Sequence, residues 1–397
     1  MNPYDPTALI HTLKTHEEVF ICGPSRGSSN ENPNTHLRVY ANGGRLCDIP
    51  TTNSSEILIS SFQYLPEETQ EMLKQKEKYN IALNKKDGSR KVKNEKREEF
   101  LMNEMNLLLD AIKNKFTSEK SSEDKSSKDK SLKERHNQTV IARKHRDFQA
   151  HKRIFTGFGQ SAPREYLTVV CDFETTIPKL WGRPASSHLK SPEKEGKNSK
   201  CDLVAFSCTQ DISDPWIISI IELKCNKHAC WDKKSGLTAH AKDMAIYMPE
   251  TEEVPNRSDC MTETEDVPNR SDYILEILRR LSYMLRYGLL ENVPDGLEAV
   301  VNRLLPKSWT DQEQMRQSRK KVRSRDISLR SCFLFTGDDD IRADDNQTKR
   351  SQDAVKLCQE AEYLKDHLKK YCYQFRKDPS DVDLSDMECW DSFFTGS

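Results

Sequence analysis

Glu222-Leu223-Lys224 closes an apolar run, Trp216-Ile217-Ile218-Ser219-Ile220-Ile221, and a run of that composition reads as a buried strand. Side chains alternate across a strand, so Glu222 and Lys224 share one face and Leu223 takes the other. Burying a charge without a partner costs on the order of several kcal/mol. The two must therefore pair with each other, meet a metal, or reach solvent at the strand end. Upstream, Cys201-Asp202-Leu203-Val204-Ala205-Phe206-Ser207 reads as a second strand led by an acid, with the turn at Gln210–Pro215. If the two strands form a hairpin, Asp202 lies beside Glu222. Two clustered carboxylates repel, and a hard cation such as magnesium relieves the repulsion. A neighbouring lysine can then position a water for in-line attack on phosphorus. The pattern Glu-x-Lys carries no weight alone, because Glu123-Asp124-Lys125 and Glu195-Gly196-Lys197 match it. Only Glu222-Leu223-Lys224 ends an apolar strand.

Further elements are needed to hold these residues. Tyr166 to Thr175 predicts another strand and carries Asp172-Phe173-Glu174, and Ser328 to Gly337 predicts a fourth. Gly236 to Tyr247 has helical spacing, with His240, Asp243 and Tyr247 on one face beside Leu237, Ala241 and Met244. A basic segment runs from Arg135 to Arg153 and holds Arg143, Lys144, Arg146, Lys152 and Arg153. A second, Arg316 to Arg330, holds Lys320, Lys321 and Arg323. Each reads as a solvated helix face or as a surface for phosphates.

An acid on one strand, Glu-x-Lys on the next, then a helix: this order resembles the PD-(D/E)xK nuclease superfamily, with Asp202, Glu222 and Lys224 at the motif positions. The resemblance implies a mixed α+β fold with a restriction-endonuclease-like core of helix, three strands, helix and strand. The matching segments are 135–153, 166–175, 201–208, 216–225, 236–248 and 328–336. It further implies that Asp202 and Glu222 bind magnesium or manganese, that Lys224 serves the attacking water, and that the helix lends a polar residue, His240 being the candidate. The expected activity is hydrolysis of phosphodiester bonds in nucleic acid, with DNA the expected substrate. A protein partner or a homodimer is compatible with that fold. Lys200-Cys201 departs from the Pro or Gly that often precedes the acid.

Two other readings stand beside it. The same fold can serve as a non-catalytic module that binds nucleic acid or protein. Asp172-Phe173-Glu174 also looks like the first motif of the DEDD exonucleases, although Tyr363 precedes Asp366 by three residues where that family needs four. Outside that motif, Asp172 and Glu174 read as flanking the same metal site as Asp202 and Glu222 or as solvated at a strand end.

The remaining chain divides by composition. Residues 1–62 hold short β-like pieces, Val19–Cys22, Leu37–Tyr40 and Ile57–Ile59, and read as a small β-containing module. Residues 63–134 read as a helical segment and a polar linker: Glu, Lys, Leu and Met at helical spacing, broken near Asp87-Gly88-Ser89, predict one or two amphipathic helices with Phe100, Met105, Leu108 and Ile112 on one stripe, followed by a Ser/Lys/Glu/Asp linker. The nuclease-like region spans 135–377, and 378–397 form an acidic tail. Inside that region, Glu250–Asp259 is repeated as Glu263–Asp272, so 250–272 read as an expanded surface loop. Ser271-Asp272 offers an N-cap for a helix carrying Leu275, Leu278, Leu281 and Leu285, Leu297–Leu305 reads as a second, and Gln352–Phe375 as a closing helix.

Charge is balanced at 62 basic against 63 acidic residues, so nucleic-acid binding would have to use a local patch. The opening Met1-Asn2-Pro3-Tyr4-Asp5-Pro6 lacks a basic segment and an apolar core, and no run reaches membrane-spanning length. A soluble, cytoplasmic protein is expected. Of the 12 cysteines, Cys171, Cys201, Cys208, Cys225 and Cys332 lie in apolar runs and read as reduced, small hydrophobes. Cys225, His228 and Cys230 lack regular zinc-ligand spacing.

Overall fold

A computed structural model describes residues 6–24, 36–41, 44–51, 56–76, 81–83, 90–93, 97–118, 138, 140–143, 149–151, 166–177, 199–224, 270–335, 372–374 and 388–389. The fold is mixed α+β, and the chain divides into two compact units. The first comprises Met1–Arg146 with Arg279–Glu291, the second Asp147–Leu278 with Asn292–Ser397. No helix among the described residues is long and apolar enough to cross a membrane.

The first unit is built on a six-stranded sheet, ordered β1-β2-β3-β4-β6-β5. Its strands are β1 (Val19–Cys22), β2 (His36–Ala41), β3 (Gly44–Pro50), β4 (Glu56–Ile59), β5 (Ile81–Leu83) and β6 (Arg90–Lys93). The helices α1 (Thr7–Lys14), α2 (Glu67–Gln75) and α3 (Arg97–Ser118) supply the apolar cover. Leu9, Ile10 and Leu13 of α1 are buried, as are Phe100, Met105, Leu108 and Ile112, the α3 stripe expected from spacing. Strands β5 and β6 lie where helix was expected. Arg90-Lys91-Val92-Lys93 has one apolar residue, and its pairing with β4 on one side and β5 on the other makes it a strand. Gly23, just after β1, is pressed against backbone. A Cβ there would lie 2.6 Å from both the Cα and the carbonyl oxygen of Arg280.

The second unit holds a seven-stranded sheet, ordered β13-β12-β11-β10-β9-β8-β7. Its long members are β8 (Tyr166–Ile177), β9 (Ser199–Cys208), β10 (Trp216–Lys224) and β11 (Ile327–Phe335). Three short strands flank them: β7 (Gln149–His151), β12 (Cys372–Gln374) and β13 (Glu388–Cys389). These short strands correct two expectations. Residues 140–143 are helical, but Gln149–His151 pair with β8 and end the helix read through 153. Cys372–Gln374, expected in a closing helix, pair parallel with β11, and Glu388–Cys389 of the acidic tail pair with β12.

β8, β9 and β10 run antiparallel in sequence, whereas β11 lies parallel to β10. Parallel neighbours require a crossover, and the described part of the connection contains α4 (Arg270–Arg286), α5 (Leu297–Leu304) and α6 (Gln312–Ser324). Helix α6 starts at a true cap, where the Asp311 carboxylate accepts from the Glu313 and Gln314 amides at 3.0 and 3.1 Å. Ser271-Asp272, read as a cap for α4, lies within its first turn. Asp272 instead accepts from Arg319 Nε of α6 at 2.7 Å, and Ser271 Oγ accepts from Arg323 Nε at 3.3 Å.

The β9–β10 turn is over-determined. Thr209 Oγ1 donates to the Asp214 carboxylate at 2.8 Å, and Asp211 Oδ1 accepts from the Ser213 amide and hydroxyl at 2.9 and 2.6 Å. Trp216, fully buried, donates its indole N–H to the Ile212 carbonyl at 3.1 Å and meets Phe206 edge to face at 5.2 Å. Arg325, between α6 and β11, stacks over the indole at 4.3 Å and donates to the Ile212 and Asp214 carbonyls. Burial pushes the Cys208 thiol up to about 12, with Arg325 acting in the opposite direction.

Two measurements check this packing. Gly23→Ala forces backbone against backbone and is expected to cost about 1–3 kcal/mol in denaturant unfolding, since neither wall is a flexible side chain. Arg325→Ala removes the stacked cation and its carbonyl bonds, for an expected loss of about 2 kcal/mol. If either variant unfolds at the wild-type midpoint, the corresponding interaction does not hold the unit.

Candidate functional site

The hairpin register decides which charges meet. β9 and β10 pair through Ile217↔Ser207, Ile218↔Phe206, Ser219↔Ala205, Ile220↔Val204 and Ile221↔Leu203. One residue further along the same register, Asp202 stands opposite Glu222. At this step the Asp202 carboxylate reaches across to β10, and its Oδ2 accepts the Leu223 amide at 2.6 Å. A side chain thus takes an amide that lies just past the last ladder pair. Asp202 is half-buried and Glu222 is 3% exposed, so both carboxylates stand at the end of a core strand pair and not on a solvated edge.

Lys224, two positions along β10 from Glu222, occupies the same sheet face by strand alternation and lies opposite Phe335 of β11. Its side chain lies outside the described residues, and so does His240.

β8 adds carboxylates that sequence reasoning assigned mainly to a rival motif. Thr168 and Val170 pair with Ser207 and Ala205, whereas Asp172 and Phe173 pair with Val204 and Leu203. The register shifts between Val170 and Asp172, so Cys171 is one residue extra in β8. Such a bulge exchanges the faces of everything after it. Thr168 shares a face with Ser207, their hydroxyls 2.7 Å apart. Uninterrupted alternation would put Asp172 and Glu174 on that face too. With the extra residue, both positions move to the face of Asp202, Val204, Ile220 and Glu222. Phe173↔Leu203 and Thr175↔Cys201 bracket position 174 directly opposite Asp202. Asp172 is fully buried and lies level with Val204.

The pair Asp172/Glu174 is visible in sequence as two acids at strand spacing. The bulge is not, because an extra cysteine in Val169-Val170-Cys171 looks like any other apolar residue.

The basic residues distribute differently. Arg143 is half-buried and belongs to the first unit, while Lys144, Arg146, Lys152 and Arg153 lie outside the described residues. Lys320, Lys321 and Arg323 are exposed on α6 in the second unit, the unit that contains Asp202 and Glu222. Two of these touch the protein itself: Lys321 Nζ donates to the Arg303 carbonyl at 3.0 Å, and Arg323 to Ser271. On the same helix Arg316 is engaged by Glu313 and Arg319 by Asp272. Arg316 and Gln317 hold the Glu313 carboxyl down at about 2 through hydrogen bonds.

Cys171, Cys201 and Cys208 are buried thiols outside any disulfide in the second unit, as are Cys22 and Cys47 in the first, which fits their role as small hydrophobes. Cys225, His228 and Cys230 fall outside the described residues. Among the described residues, no group of three or more His, Cys, Asp and Glu side chains is disposed to hold a metal ion. Asp172, Asp202 and Glu222 are among those described residues, and the Glu174 side chain is not.

No family model, curated protein or solved structure matches this chain.

Proposed function

We propose that the chain is a divalent-metal-dependent nuclease that hydrolyses phosphodiester bonds of nucleic acid, with DNA the expected substrate, on a restriction-endonuclease-like core. The observation that carries this reading is the placement of Asp202 across from Glu222, with Asp202 bonded to the amide of the residue between Glu222 and Lys224. The order of elements supports it as well. Three long strands in sequence, then helices, then a fourth long strand follow the element order that the PD-(D/E)xK resemblance implies.

The donor set fits magnesium or manganese, which take hard carboxylate oxygens. Asp202 and Glu222 would hold the ion. Bound there, it would polarise a phosphoryl oxygen and offset the charge that develops during hydrolysis. Lys224, on the same face of β10, would orient the attacking water, and His240 would assist from the helix expected at 236–248. The hydrogen bond that the Leu223 amide donates to Asp202 fixes its rotamer, so one acid would be oriented before any ion arrives.

The test uses purified full-length chain with magnesium or manganese against plasmid, linear and single-stranded DNA and RNA. Cleavage is expected, with Asp202→Asn and Lys224→Ala each reducing it by about 100-fold or more. Four intact substrates, or a Lys224→Ala variant as active as the parent, would sink the reading. Exposed lysines of α6 support the alternative of a binding module. Lys320→Ala with Lys321→Ala should weaken DNA binding and lower the salt slope by about one for each phosphate no longer held. Salt-sensitive binding in a chain that cuts nothing would favour that alternative.

A further inference from the structure

We propose that β8 supplies a third carboxylate to this site, Glu174, and that the bulge at Cys171 is the device that brings it there. This assignment rests on the proposed metal-dependent reading of Asp202 and Glu222. It goes beyond the motif, which draws its acids from β9 and β10 alone.

Positions 174, 202 and 222 form a single row across β8, β9 and β10, with Asp202 in the middle. Directly opposed residues of antiparallel neighbours have Cβ atoms about 5 Å apart, and strands are spaced by about 4.8 Å. The outer two positions are therefore about 10 Å apart at the backbone, from the same strand spacing. The residue lengths suit that span: the middle position carries the shorter acid, Asp, and both outer positions carry the longer one, Glu. Three hard oxygen donors from three strands can then serve one divalent cation, whose ligand distances are about 2.1 Å for magnesium.

The row exists only because of the extra residue. Val170 still pairs with Ala205, and Cys171 is absorbed as its sulphur donates to the Val204 carbonyl at 3.4 Å. From Asp172 onward the faces are exchanged. Without that exchange, position 174 would share the face of Leu203 and Leu223, both buried and apolar. A bulge beside a candidate site that moves the strand position of an acid onto a row shared with two others is the positioning role bulges commonly serve. Adjacent like charges cost stability, so such a row is retained where a cation offsets it.

Manganese binding to the full chain, read by calorimetry and by the unfolding midpoint with and without the ion, tests the proposal. Wild type is expected to bind manganese and to gain stability from it. Glu174→Gln, an isosteric change, should weaken manganese binding by about tenfold or more while leaving the metal-free midpoint unchanged or higher, because a repulsion is removed. The exposed control Glu298→Gln should change neither. If Glu174→Gln binds manganese as wild type does, while Asp202→Asn and Glu222→Gln lose it, β8 contributes nothing and the two-acid reading stands. If wild type itself shows no manganese binding, the metal-dependent reading falls and this proposal falls with it.

Discussion

The register of one hairpin governs the second unit. β9 and β10 are apolar on both faces, and such strands give weak instructions about which residue should oppose which. A slip of one residue would move Glu222 from the face of Asp202 to the other face. The turn at 209–215 removes that freedom. Its own side chains close it, through Thr209 on Asp214 and Asp211 on Ser213, and Trp216 ties its indole back to Ile212. Arg325 then binds the same turn from a distant part of the sequence, stacking on the indole and donating to two turn carbonyls. Because β11 begins two residues after Arg325, one clasp aligns β10 with both of its neighbours.

That alignment explains how charge is tolerated in a core sheet. The apolar positions of β9 and β10 fill the strands near the turn, from Trp216 to Ile221 and from Leu203 to Cys208, and the acids are confined to the far end. There the ladder between β9 and β10 stops after Ile221↔Leu203, and Asp202 takes the Leu223 amide. A backbone donor and a carboxylate at the end of a buried strand pair thus satisfy one another, a charge-assisted bond replacing two separate burial costs.

Much of this is legible in the residues, and what is missed follows a pattern. The long strands announce themselves through β-branched runs, the hairpin through Asp, Ser and Pro, and α3 through its apolar stripe. Short strands do not. Arg90–Lys93, Gln149–His151 and Cys372–Gln374 are three or four residues long, lack a β-branched run, and pair at or near sheet edges. Their conformation comes from the neighbour that offers hydrogen bonds, and a single-sequence pattern carries no trace of the neighbour. Ser271-Asp272 misleads for a related reason. Its composition is that of a cap, but Asp272 is bonded to Arg319, a residue 47 positions away. Local chemistry suggests a local partner, and the long-range one wins.

The candidate site shows the same division more sharply. Asp202, Glu222 and Lys224 are legible because motif spacing and strand period coincide. Glu174 is visible as an acid, yet its position depends on counting strand residues without interruption. A bulge adds one residue and breaks that count, and an inserted cysteine has the hydrophobicity and size of what surrounds it. Alternation read straight through from Thr168 would place position 174 level with Cys201, off the row of Asp202 and Glu222. Both faces of the sheet are apolar here, so alternation alone does not reveal the shift, and the apolar run before Asp172 absorbs it without exposing a core side chain.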